Sequence, residues 1–88
     1  MAVTVVLPSL LATEAKGHKH FAVEAPTVEE ALRQLPVRDL LFDERGELRP
    51  LVNVFVDGQD IRARDGVATS LAGGETIRVV AAIAGGAR

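Results

Sequence analysis

The stretch Leu51-Val52-Asn53-Val54-Phe55-Val56-Asp57-Gly58-Gln59-Asp60-Ile61-Arg62 decides how the chain folds. Six residues rich in β-branched and aromatic side chains meet Asp-Gly, the pair that most readily takes the two successive positive φ values of a type I′ turn. A β-hairpin follows, with one strand over 51–56 and its return over 59–62. Val52, Val54 and Val56 alternate with Leu51, Asn53 and Phe55, so one strand face serves the core and the other stays partly apolar.

Downstream, Gly66 to Ser70 with Leu71 reads as a short turn or single helical turn, and Gly73-Gly74 opens a tight reversal into a last strand, Thr76-Ile77-Arg78-Val79-Val80-Ala81. Upstream, Val37 to Pro50 mixes charges with Leu40, Leu41 and Phe42 and reads as a surface turn with a few anchors. Before it the period changes. Thr27 with Glu30 three residues later is a capping-box pattern, and Val28, Ala31, Leu32 and Leu35 form an apolar helical stripe. Glu29, Glu30, Arg33 and Gln34 then face water, and Pro36 stops the helix. At the start, Val3, Val5 and Leu7 alternate with Thr4 and Val6 in a strand ended by Pro8-Ser9. Lys16-Gly17-His18-Lys19-His20 leads into Phe21-Ala22-Val23-Glu24 as its antiparallel return.

One helix must therefore cover one face of a mixed sheet of four to five strands, which is the α+β class. Element order alone admits a β-grasp or a ferredoxin-like half. The 88 residues give room for one domain, and with 48% hydrophobic but 3% aromatic residues its core is Val, Leu, Ile and Ala around three Phe. Such a core leaves little space for a buried active site.

Net charge is −2 with 25% charged residues, which argues against both a nucleic-acid footprint and a disordered chain. The absence of cysteine removes disulfides, thiolate metal sites and a Cys nucleophile, and the expected compartment is the cytoplasm. Residues 1–7 lack the positive charge that opens a signal peptide, and Pro8 cuts the apolar run far short of a membrane span. No membrane association is expected.

Three constellations invite chemistry and are better explained otherwise. His18 and His20 share one strand side, but a metal site needs three or four ligands and no third is near in sequence. Adjacent Glu29 and Glu30 point in different directions on a helix, as a solvated face does. Gly73-Gly74 precedes a strand rather than opening a helix, so it lacks the amide cradle of a phosphate loop and reads as a turn.

The end of the sequence, Ala84-Gly85-Gly86-Ala87-Arg88, is another matter. Paired glycines have wide backbone freedom and no Cβ, so they can thread a narrow groove to present a main-chain carbonyl. A frayed terminus of small residues is the plain alternative. The expected organisation is a folded domain over 1–83 and a flexible tail over 84–88.

Context favours function. Residues 51–62, Asp65-Gly66, Leu71-Ala72-Gly73-Gly74-Glu75-Thr76-Ile77 and Ala81-Ala82-Ile83-Ala84-Gly85-Gly86 together resemble the MoaD/ThiS family of ubiquitin-like sulfur carriers, and among them the CysO-type carriers most. The first half resembles it more weakly, through Val3-Thr4-Val5 and the Thr27 to Leu32 helix.

The resemblance implies a β-grasp fold and a protein that is not itself an enzyme and binds no cofactor. An E1-like partner adenylates its terminal glycine with ATP, and sulfide then replaces AMP to leave a thiocarboxylate. Carried onto this chain, Gly86 bears the thiocarboxylate and Ala84 and Gly85 lie in the partner's groove. The outer sheet face docks the partner, with Phe55, Ile61 and Val80 as candidates.

Family members usually end at the second glycine, whereas here Ala87-Arg88 follow and lock the Gly86 carbonyl in a peptide bond. The resemblance therefore implies cleavage between Gly86 and Ala87 by a JAMM-type metalloprotease. It also implies a sulfur-accepting biosynthetic enzyme, a cysteine synthase or similar, that forms cysteine, a thiosugar or another sulfur metabolite. The small subunit of molybdopterin synthase and a ubiquitin-like protein modifier are the alternatives that use the same tail.

Overall fold

A computed structural model describes residues 2–81. They build a five-stranded sheet in the order β2-β1-β5-β3-β4 from β1 (Val3–Val6), β2 (His20–Val23), β3 (Val52–Val56), β4 (Gln59–Asp60) and β5 (Thr76–Ala81). β1 and β2 pair antiparallel, as do β3 with β4 and β3 with β5, while β5 lies parallel to β1. The last strand thus slots between the two hairpins. That is the β-grasp arrangement, and it settles what element order leaves open.

The Asp57-Gly58 turn has φ values of 49° and 86°, as a type I′ turn requires. Asp57 does more than turn the chain. Its N–H donates to the Thr76 carbonyl at 2.9 Å and its Oδ1 accepts from the Thr76 N–H at 3.0 Å, so the tip of one hairpin fixes where β5 begins.

α2 (Val28–Arg33) crosses the inner face of the sheet, and the Thr27 Oγ1 accepts from the Glu30 N–H at 3.3 Å. Val28, Ala31, Leu32 and Leu35 are all buried against Val3, Val5, Leu7, Val54, Val56, Ile77 and Val79 in one core. The loop before β5 is lashed to the start of α2. The Val28 N–H donates to the Thr69 carbonyl, the Leu71 N–H to the Pro26 carbonyl, and the buried Thr69 hydroxyl to the Gly66 carbonyl at 2.7 Å.

Three local features depart from the sequence expectations. A helix, α1 (Ser9–Glu14), fills the connection between β1 and β2. It has no side-chain N-cap, and the burial of Leu11, Ala12 and Ala15 holds it in place. It closes in a Schellman motif, with Gly17 N–H to the Ala12 carbonyl and Lys16 N–H to the Thr13 carbonyl; Lys16 takes the left-handed position usually given to glycine, at φ 61°.

A single turn, α3 (Arg38–Leu41), lies within the segment expected to be a surface turn, anchored by Val37, Leu41 and Phe42. Arg33 does not simply face water. Its guanidinium lies 4.2 Å over the Phe42 ring, donates to the Gly46 carbonyl at 2.8 Å and pairs with Glu29 at 2.9 Å, tying α2 to the 43–47 turn.

Candidate functional site

β5 is the strand that carries the chain toward its glycine tail, and its position in the middle of the sheet decides what surrounds the point of departure. The tail residues of interest, Ala84, Gly85, Gly86 and Ala87, lie outside the described residues, as do the 83/84 boundary and the tail expected beyond it. What the structure does give is the surface around the end of β5.

Consecutive residues of a strand point to opposite sides, and here Val80 and Ala81 line two different grooves. The first lies on the outer sheet face, about 430 Å³ in volume, lined by Phe55, Asp57, Gly58, Thr76, Arg78 and Val80. Phe55 sits opposite Arg78 and Asn53 opposite Val80 in the β3–β5 register. Phe55 is half-buried and Val80 40% exposed, so both are available on that face.

Ile61 is not. The expectation that it joins the docking face is corrected by its burial, at 2% exposure, within the core. β4 ends at Asp60, whose carboxylate accepts the Arg62 N–H at 2.8 Å and caps a 3₁₀ turn over Ile61–Ala63. A continuing strand would set Ile61 across from Val54, on the same buried inner face, so the hairpin register and the turn agree in keeping it off the outer side.

The second groove, about 590 Å³, is bounded by Leu10, Leu11 and Glu14 of α1, Leu40 of α3, Arg49 to Val52, and Ala81. Sequence reasoning misses it because it does not foresee α1 and α3. The exposed leucines offer the available signal, since Leu10 has no place on any predicted apolar stripe and Leu51 lies on the strand face expected to stay open.

The carboxylates of Asp60 and Glu75, which line neither groove, are structural. The Arg62 guanidinium, bonded to Asp60 at 2.8 Å, together with the Arg62 N–H, holds the Asp60 carboxyl below its ordinary range. Glu75 is likewise held low, by the N–H groups of Ala72 and Gly73, each 2.7 Å from its carboxylate. These two bonds explain the Gly73-Gly74 turn, which wraps the Glu75 side chain rather than a phosphate. His18 lies edge-on to Phe21 with ring centroids 6.3 Å apart.

Among the described residues no three His, Cys, Asp or Glu side chains gather as a metal site would require, and no buried side-chain polar atom lacks a partner. No helix among them is long and apolar enough to cross a membrane. The arrangement is one of surfaces around a strand end.

Known proteins are similar to the chain in sequence and fold. The sequence model of the ThiS family matches residues 9–86. The sulfur carrier protein CysO of Mycobacterium tuberculosis is 30% identical over 93 residues, covering 98% of this chain and 100% of the relative. A chain in the crystal structure of the Amycolatopsis orientalis BexX/CysO complex superposes with a TM-score of 0.81 at 28% identity, over 97% of this chain and 100% of that one. The crystal structure of Mycobacterium tuberculosis CysO gives a TM-score of 0.79 at 26% identity, over 90% and 97% of the two chains.

Proposed function

The chain belongs to the ThiS family, and on that basis we propose that it is a sulfur carrier whose Gly86 carboxylate is the working group. The observation that carries this reading is the extent of the family match, which runs through Gly85-Gly86 and stops there, leaving Ala87 and Arg88 outside it.

The chemistry proceeds in three steps, all performed by partners. A JAMM-type metalloprotease adds water across the Gly86–Ala87 amide and frees the Gly86 carboxylate. An E1-like enzyme then directs that carboxylate onto the α-phosphorus of ATP, expelling pyrophosphate and forming an acyl-adenylate. Sulfide displaces AMP from the acyl carbon to give the thiocarboxylate. Adenylation supplies the leaving group that a bare carboxylate lacks, and the resulting thioacid is a soft nucleophile on a protein handle.

The carrier's own part is recognition. Ala84 and Gly85 thread the partner's groove, while Phe55 and Val80, with Arg78 between them, present the outer sheet face. One groove abuts Ala81 at the end of β5 and the other runs along the strand from Thr76 to Val80, so a partner on either surface contacts the strand that precedes Gly86 in sequence. A sulfur-accepting biosynthetic enzyme, a cysteine synthase or one of similar chemistry, consumes the thiocarboxylate, and the cytoplasm is the proposed compartment. The similar Amycolatopsis orientalis CysO is held in a complex with BexX, which supports a carrier that works through bound partners.

Intact mass spectrometry of the protein isolated from its host tests the reading. The expected species ends at Gly86 and carries the mass gain of one oxygen exchanged for sulfur. A protein that keeps Ala87-Arg88 while sulfur transfer proceeds would overturn the processing step. Covalent adducts of higher mass, with no thiocarboxylate, would mark a protein modifier instead.

A further inference from the structure

Four large hydrophobic side chains are exposed among the described residues, and three of them, Leu10 at 49%, Leu40 at 43% and Leu51 at 53%, line the groove that Ala81 closes. Single exposed leucines are ordinary, but a cluster in one concave site marks a surface that another molecule covers. Glu14 and Arg49 line the same groove with opposite charges.

The position of the groove narrows its occupant to an enzyme that acts on Gly86. Ala81 is five residues before Gly86, and five residues fully extended span at most about 18 Å. Any enzyme that holds the Gly86 carboxylate in its active site therefore has its surface within that distance of the groove. The outer-face groove shares no residue with this one, yet the two take successive residues of β5, Val80 and Ala81. An enzyme gripping the tail meets the strand end from both sides.

We propose that the groove of Leu10, Leu40, Leu51 and Ala81 is a second docking point for the adenylating enzyme, which fills it with one or two large apolar side chains. A cation of the enzyme faces Glu14 and an anion faces Arg49, and this pair of charges sets the direction of approach. The proposal rests on the tail-activation reading above. Its consequence is that carrier recognition is split between the two sides of β5, so an enzyme that fits the outer face alone binds weakly.

The test uses the chain ending at Gly86 with its adenylating enzyme, reading carrier-dependent ATP–pyrophosphate exchange. Leu51→Asp and Leu10→Asp are each expected to raise the KM for the carrier about tenfold, the loss of one apolar anchor, with kcat unchanged. Charge reversal at Glu14 and Arg49 together raises KM in the same sense.

Unaltered KM in both leucine variants, with exchange still lost on deletion of Gly85-Gly86, overturns the groove proposal and leaves the tail reading intact. Exchange that survives deletion of Gly85-Gly86 overturns the tail reading and the groove proposal with it. A concentration-dependent dimer of the unaltered chain that Leu51→Asp disperses, seen by sedimentation, assigns the groove to a second copy and overturns the proposal.

Discussion

On the inner face of the β3–β5 pair, Val52, Val54, Val56, Ile77 and Val79 are all buried, whereas the outer face of the same two strands carries Asn53, Phe55, Arg78 and Val80 with partial cover at most. The same backbone hydrogen bonds support both. Because side chains alternate with a period of two, one register choice assigns every residue to its face, and a slip of one residue would exchange them. The face that holds the fold together and the face open to a partner are therefore separable by mutation, although they are one residue apart.

Substitutions on the two sides test that separation most strongly. Ile61→Ala removes a fully packed side chain from the inner side and is expected to cost about 2–5 kcal/mol in chemical denaturation. Val80→Ala on the outer side is expected to stay within about 0.5 kcal/mol. Similar losses at the two positions would erase the distinction, and a small loss at Ile61 would return that residue to the docking face.

The turn that sets the register comes next. Gly58 has φ +86° and open space around its missing Cβ, so the strain of a side chain there is conformational. Gly58→Val should cost roughly 1–2 kcal/mol, and Gly58→Asn should recover much of it because Asn tolerates the left-handed region. Equal stability of the two variants would show that the ladder, not the turn, fixes the register.

Thr27→Ala, which removes the cap of the helix covering the inner face, is expected to lose about 1 kcal/mol, while Thr27→Ser retains most of it. A loss in melting temperature for Ala without recovery in Ser would mean that the methyl group, not the hydroxyl, matters.

The smallest effect is one of pH. The Ala72 and Gly73 N–H groups depress the Glu75 carboxyl below its ordinary value of 4.5, so the folded state takes up that proton less readily than the unfolded state. The stabilisation is present above pH 4.5 and fades as pH falls through the lower folded value. The stability difference between the parent and Glu75→Gln should shrink across that acid range, and a difference constant with pH would remove the carboxylate from the account.

Where local chemistry is strong, the sequence is legible. Asp57-Gly58 can hardly do anything but turn, and Thr27 with Glu30 starts a helix wherever it stands; both elements lie where those residues place them. Ile61 belongs with these legible features once the hairpin register is followed, because the Asp57-Gly58 turn pairs Phe55 with Asp60 and so sets Ile61 across from the buried Val54 rather than beside Phe55 on the outer face. α1 leaves no trace because a six-residue helix without a cap has almost no intrinsic stability and forms only where Leu11, Ala12 and Ala15 find a core. That omission hides the groove at the end of β5.

Interactions among residues a few positions apart suffice to dictate the strands, the main helix and the hairpin turn, and the Gly-Gly pair of the tail can be read from the chain directly. The placement of β5 between β1 and β3 is a tertiary outcome, because parallel pairing with β1 joins residues more than seventy positions apart, such as Val5 with Ile77. Tertiary packing likewise lays Arg33 over Phe42 and gathers Leu10, Leu40 and Leu51 into one groove at the end of β5. Those facts depend on which distant surfaces meet, and hydrophobic burial, being non-directional, leaves no mark of its partner in the local pattern.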